Sequence, residues 1–172
     1  MKKIKLFLFA FLLSVSAFSQ AEVARNEVSL NLLRTAFMQY PEISYERILN
    51  RDMSIGVAFG IDNYYHFNFT PFARWFFGNN CGTERWARGF FAEINSSVHR
   101  FSYLIDHGYH GYLRHMSSAI GIGTGIGWKY LTRSGNWTGE VMFGSGRNVL
   151  KADRYCNQDF YLRVGISIGR RF

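Results

Sequence analysis

Phe160-Tyr161-Leu162-Arg163-Val164-Gly165-Ile166-Ser167-Ile168-Gly169-Arg170-Arg171-Phe172 closes the chain. Phe160, Leu162, Val164, Ile166 and Ile168 share one parity, while Tyr161, Arg163, Gly165, Ser167 and Gly169 share the other. Successive side chains of a strand point to opposite faces, so this period of two predicts a β-strand with one apolar side. Ser118 to Tyr130 repeats the pattern. Ile120, Ile122, Thr124, Ile126, Trp128 and Tyr130 alternate with Gly121, Gly123, Gly125, Gly127 and Lys129. The glycines here are no phosphate-binding loop, because the period stays at two and no helical pattern follows.

Six more segments carry weaker forms of the same alternation: near Asn26 to Phe37, Glu42 to Leu49, Met53 to Gly60, Tyr64 to Phe77, Trp86 to Val98 and Trp137 to Gly146. Eight strands of roughly 8–14 residues suit a bilayer crossing, which needs about 9–11. An even number of antiparallel strands is what a closed bacterial barrel requires, since closure removes edges that lipid cannot solvate. The predicted fold is therefore all-β: an eight-stranded, antiparallel, up-and-down transmembrane barrel. Pro71 lies within the fourth segment and cannot donate to a ladder, which predicts a bulge there.

Composition narrows the class. The 172 residues are 48% hydrophobic and 18% aromatic, too apolar for a disordered chain. A mean hydropathy of -0.10 is too low for a helical membrane bundle. The chain is also too short for a wide porin. Lys2, Lys3 and Lys5 precede an apolar run from Leu6 to Leu13, followed by small residues. That order predicts a signal peptide over 1–19, or over 1–21 if cleavage follows Ala21, and one mature domain over 20–172. Removing it leaves 17 basic against 12 acidic residues, an excess too modest to call for nucleic acid.

Alternation alone does not tell a soluble barrel, apolar inside, from a membrane barrel, apolar outside. The tryptophans do. With both ends of the mature chain on the periplasmic side, Trp75, Trp86, Trp128 and Trp137 all fall at one end and on the apolar face, joined by Phe77, Tyr130 and Phe172. This predicts an aromatic girdle at a single water–lipid boundary. Glu46, Arg74, Glu93, Lys129, Glu140 and Arg163 fall on the other face, which predicts an enclosed charge network that must be paired. Hairpin register sets Lys129 diagonally across from Glu140, with Arg163 near the same level, so these three are expected to cluster. The glycines from Gly121 to Gly127 leave room for large side chains opposite, and an eight-stranded lumen is filled rather than open.

The chain also ends in Phe172 after Val164, Ile166 and Ile168, similar to the C-terminal signal by which Gram-negative outer-membrane barrels are recognised for assembly; Arg170 departs from that signal. The whole mature chain resembles the small eight-stranded barrels of the outer-membrane protein A and X type. Asn31-Leu32-Leu33, Ile43-Ser44-Tyr45-Glu46-Arg47 and Gly165-Ile166-Ser167-Ile168-Gly169 resemble a Gram-negative outer-membrane barrel family of unknown function. The resemblance implies an outer-membrane location and brings no catalytic residues.

Candidate binding residues concentrate in the longest connection, about His99 to Met116, which faces outward from the cell: His99, Tyr103, His107, Tyr109, His110, Tyr112, Arg114 and His115. A partner-binding surface hairpin suits this mixture, as does contact with lipid headgroups. The histidine spacing matches no compact metal template, so neither a metal nor a cofactor is assigned. His115-Met116-Ser117 is similar to the dyad of outer-membrane lipid A deacylases, but register leaves Glu140 some 30 Å below Ser117 at about 3.3 Å per residue. Cys81 and Cys156 fall in connections at opposite ends, so no disulfide is expected between them.

The sequence thus points to a monomeric, non-enzymatic outer-membrane protein with a structural or surface-interaction role. Its expected partners are outer-membrane lipids and lipopolysaccharide, the barrel assembly machinery and an unidentified surface partner. Two alternatives are a lipid-modifying hydrolase and a soluble periplasmic barrel holding a small apolar ligand.

Overall fold

The computed structural model describes residues 24–62, 66–77, 86–106, 112–152 and 159–172; the side chains of 103–106 and 112–115 also lie outside that description. The expected signal segment, Cys81 and Cys156 fall outside the described residues. The elements are β1 (Asn26–Asn31), α1 (Leu32–Phe37), β2 (Glu42–Ile48), β3 (Met53–Ile61), β4 (Phe67–Phe77), β5 (Gly89–Asp106), β6 (Tyr112–Leu131), β7 (Trp137–Lys151) and β8 (Phe160–Arg171). Each strand pairs antiparallel with the next, and β8 pairs with β1, from Glu27 opposite Arg171 to Asn31 opposite Ser167. The sheet is a closed, up-and-down barrel of eight strands.

The faces are sorted in the sense opposite to a soluble core. Ile122, Ile126, Phe143, Leu162 and Ile166 are exposed on the outer wall, with Ile126 at 68%. Lys129 and Arg163 are enclosed, at 1% and 5%. Glycines set the inner packing of β6 and β7. The Tyr161 ring lies over Gly121 and Gly146, and its hydroxyl would stand 2.6 Å from a Cβ at Gly123. We expect Gly146→Ala to strike that ring and cost about 1–3 kcal/mol in urea unfolding. Gly139→Ala, which meets nothing within 4 Å, is the control and should leave the midpoint unchanged.

Four local features differ from the sequence reading. The first strand stops at Asn31 instead of running to Phe37. The Asn31 side chain accepts from the Arg34 backbone N–H at 3.2 Å and caps α1, and Gln39 at φ 54° turns the chain back into β2. The second difference is at Pro71. The β3–β4 register runs unbroken through Val57 opposite Pro71, and the β4–β5 register is the same on either side of it, so no bulge forms. Named pairs lapse only at Thr70 and Pro71 on the β5 side, where the missing donor is tolerated, and the Thr70 hydroxyl donates to Ser97 Oγ at 3.1 Å. The register shift lies in β7 instead: Ile120 faces Leu150 and Gly121 faces Asn148, leaving Val149 extra. Both Val149 and Leu150 are therefore turned outward and exposed.

The third difference concerns the long connection, most of which is strand. Asn68 opposite His99 is the last pair of β5 with β4, and Ala119 opposite Lys151 is the last of β6 with β7. Beyond them, among the described residues, the named strand pairs of β5 and β6 are with each other, up to Asp106 opposite Tyr112, as a two-stranded ribbon that extends the barrel wall. The fourth concerns Trp86, which precedes β5 instead of opening it. Ala87 at φ 48° and Gly89 at φ 90°, the first residue of β5, break the alternation where the strand begins. The indole turns inward and packs against a plug of Ile48, Phe76, Ala87, Phe91 and Met142. Trp86 therefore does not belong to the outer girdle.

Candidate functional site

The enclosed charges form one connected network. Arg74 on β4 is its hub. Its Nη1 donates to Glu46 at 2.7 Å and to Glu140 at 2.8 Å, its Nη2 to Glu140 at 2.9 Å, and its Nε to Glu93 at 2.9 Å. Lys129 Nζ sits 2.7 Å from Glu46, 3.0 Å from Glu27 and 3.3 Å from Glu140. Arg163 Nε donates to Glu93 at 2.7 Å. Arg171 Nε reaches Glu27 at 2.8 Å, and its terminal nitrogens cap the carbonyls of Trp86 and Ala87, both at 2.7 Å.

Four carboxylates thus meet four cations, and hydroxyl and amide groups fill remaining lone pairs: Ser54 on Glu46, Thr138 on Glu27, Asn95 on Glu93. Desolvating so many charges is tolerable only because each is paired and hydrogen-bonded. Aromatic rings interleave with the cations. Arg74 lies 4.4 Å from the Phe72 centroid and 4.6 Å from that of Phe91, and Lys129 lies 5.7 Å from that of Phe76. The charges, these rings and the apolar plug are buried together.

Register explains which charges meet. Lys129 lies directly opposite Glu140, and Arg74 directly opposite Glu93. Arg163 does not join Lys129 and Glu140, as its expected level implied. On β8 the residue opposite Glu140 is Ser167, while Arg163 faces Gly144 higher up, so its guanidinium meets Glu93. Glu27 and Arg171 belong to the network although sequence reading passed over them. Their parity gives them away: Glu27 alternates with Val28 and Leu30, and Arg171 shares the parity of Arg163. Glu27, Glu46 and Glu140 each bring a carboxylate oxygen within 4.8 Å of the others, a spacing a cation could use. The Lys129 ammonium touches all three, so the charge a metal would supply is already present.

Trp75, Phe77, Trp128, Tyr130 and Trp137 are exposed on the outer wall, at the barrel end that also holds the start of β1 and the end of β8. Trp75 stacks on Phe77 at 5.6 Å, Trp128 neighbours Tyr130 at 6.0 Å, and the Arg170 guanidinium lies 5.5 Å from the Trp137 ring. Phe172 is half-buried at the same end, its backbone paired with Asn26.

The opposite end is a polar mouth. Glu42 accepts from Asn31 at 3.1 Å, Arg34 at 2.6 Å and Asn68 at 3.0 Å. The Tyr40 hydroxyl donates to Asn68 Oδ1 at 2.8 Å, and burial pushes its phenol above the ordinary range. Lys151 donates to Asp159 across the β7–β8 connection and holds that carboxyl below its usual range. Of the hairpin residues, His99 stands in the mouth wall. The backbone pairs Tyr103 with His115 and Leu104 with Arg114, and Tyr112 with Asp106; these side chains lie outside the description, and His107, Tyr109 and His110 lie outside it entirely. Ser117 is buried, facing inward, and among the described residues its hydroxyl has no hydrogen-bond partner. Glu93 faces Gly125 and Glu140 faces Lys129, both far down β6 from Ser117.

No protein-family model matches the chain, and no curated protein matches it. Among solved structures it is similar to the N-terminal beta-barrel domain of Pseudomonas aeruginosa OprF, with 13% identity and a TM-score of 0.49, over 87% of this chain and 98% of that one. The barrel assignment rests on the strand register itself.

Proposed function

We propose that the chain is an integral outer-membrane barrel, monomeric and non-catalytic, with a filled lumen and a structural or surface-interaction role in the cell envelope. The single observation that supports this most is the inversion of its faces. A soluble monomer rarely exposes a contiguous apolar patch beyond a few hundred Å². Here the apolar outer residues recur on strand after strand, while a neutralised charge network fills the centre. Phe160 to Ile168 covers about 26 Å along β8 at roughly 3.3 Å per residue, or about 20 Å of height at a tilt near 40°. That height suits the outer apolar band of a membrane barrel, about 25 Å tall.

In this reading the aromatic end faces the periplasm and the ribbon of β5 and β6 faces outward. Lipid and lipopolysaccharide contact the wall, the assembly machinery reads the strand ending in Phe172, and a surface partner meets the ribbon. Enzymatic action through Ser117 has little support, since the two nearest inward carboxylates on neighbouring strands sit well below it.

The test is fractionation followed by gel mobility. The protein should sediment with outer membranes, need detergent for extraction, and run as a compact band that shifts on boiling. Protease added to intact cells should cut within 99–116. Release into the soluble periplasmic fraction, with no heat-dependent shift, would overturn the proposal.

A further inference from the structure

Above the charge network the mouth holds a cavity of about 450 Å³. Its wall is unusual in its balance of donors and acceptors. Arg34, Arg100, Arg163 and His99 line it, and among the described residues no Asp or Glu does. Glu42 and Glu93 stand behind the wall and satisfy only part of the cations. Arg34 donates to Glu42 through Nη1 and to the Leu162 carbonyl through Nη2, and among the described residues only its Nε lacks an acceptor. Arg163 commits Nε to Glu93, and among the described contacts its terminal nitrogens have no protein acceptor. Among the described residues neither ring nitrogen of His99 has a well-aligned hydrogen-bond partner, the Ser97 backbone being the one group close to the ring nitrogens. Buried polar groups are almost always paired, so several unpaired donors around one cavity call for a ligand that supplies acceptors.

The rest of the wall fits a small hydroxylated molecule. Tyr40, Phe67 and Tyr161 offer ring faces, and Thr70 and Ser97 offer hydroxyls. The Tyr161 ring is held in place: its hydroxyl donates to Asn95 at 2.6 Å, and His99 packs on it with centroids 5.3 Å apart. The size lies within the range of small-molecule sites, roughly 300–1,000 Å³. We infer that the mouth is a binding site for a small organic anion of about monosaccharide size, its carboxylate or phosphate accepting from Arg34, Arg163 and His99. The cavity opens at the barrel mouth whichever compartment that mouth faces, so this inference stands apart from the membrane reading.

The test follows the His99 imidazole by proton NMR in the folded full chain, kept in detergent micelles. The signal is assigned by its loss in His99→Gln or, should that variant not fold, by cross-relaxation with the Tyr161 ring. Glucuronate, glucose 6-phosphate, inorganic phosphate, glucose and sodium chloride are titrated in parallel. Saturable movement with glucuronate or glucose 6-phosphate, and none with glucose or chloride, is the expected result. A response to only one of the two sugar acids fixes the anion as carboxylate or phosphate ester, and a weaker response to inorganic phosphate supports a role for the sugar ring. Arg100→Gln, at the exposed rim, should raise the half-saturation point about threefold or more. No movement with any anion, or equal movement with glucose or chloride, would overturn the inference.

Discussion

Arg74→Met should be the most damaging single substitution inside the barrel. The guanidinium donates to Glu46, Glu93 and Glu140, and its removal leaves those carboxylates with Lys129 and Arg163 alone. Breaking a buried ion pair by deleting one partner costs about 3–5 kcal/mol, because the survivor stays enclosed and uncompensated. The expectation is a fall of that size in the urea unfolding free energy, read from the heat-sensitive gel band of protein refolded in lipid vesicles. Adding Glu140→Gln to Arg74→Met should recover part of the loss, since it removes the carboxylate that Arg74 holds through both terminal nitrogens. A loss below about 1 kcal/mol in the single variant, or no recovery in the double, would mean that water enters the network and solvates it.

Much of this was legible in the sequence because period two is a simple code. Once β6 and β8 were phased, parity alone placed Lys129 and Arg163 on the inner face. The same parity would have added Glu27 and Arg171, had short β1 and the last residues of β8 been phased as firmly. Parity does not fix height. Arg163 meets Glu93 because of the stagger between β7 and β8, and stagger accumulates over strands whose loop lengths set it. Local backbone chemistry is also invisible to parity. Leu30 and Leu32 continue an apolar alternation, yet the Asn31 cap starts a helix between them. Trp86 lost its predicted face because Ala87 and Gly89 take positive φ, which no hydrophobic pattern announces. The extra residue in β7, Val149, sits in an apolar pair that reads equally well in either register.

Ile126→Arg tests the proposed surroundings of the wall instead of its interior. Ile126 points outward at 68% exposure, between Ala92 and Phe143 on the flanking strands. Along β6 it lies four positions above Tyr130 in the aromatic belt. At roughly 3.3 Å per residue and a tilt near 40°, that is about 10 Å into the apolar band, close to its middle. A mid-membrane arginine on the lipid face costs about 2–4 kcal/mol, and the same residue near an interface costs about 0–1 kcal/mol. Ile126→Arg should therefore lower the stability of the vesicle-inserted barrel by about 2–4 kcal/mol, and Tyr130→Arg by much less. On a barrel surrounded by water both substitutions would merely exchange an exposed side chain for a soluble one, with changes within about 0.5 kcal/mol. The depth dependence is the discriminating feature, because no packing contact of the inner face changes in either variant. Equal and small effects at the two positions would contradict the lipid environment and return the exposed isoleucines to solvent or to a protein partner.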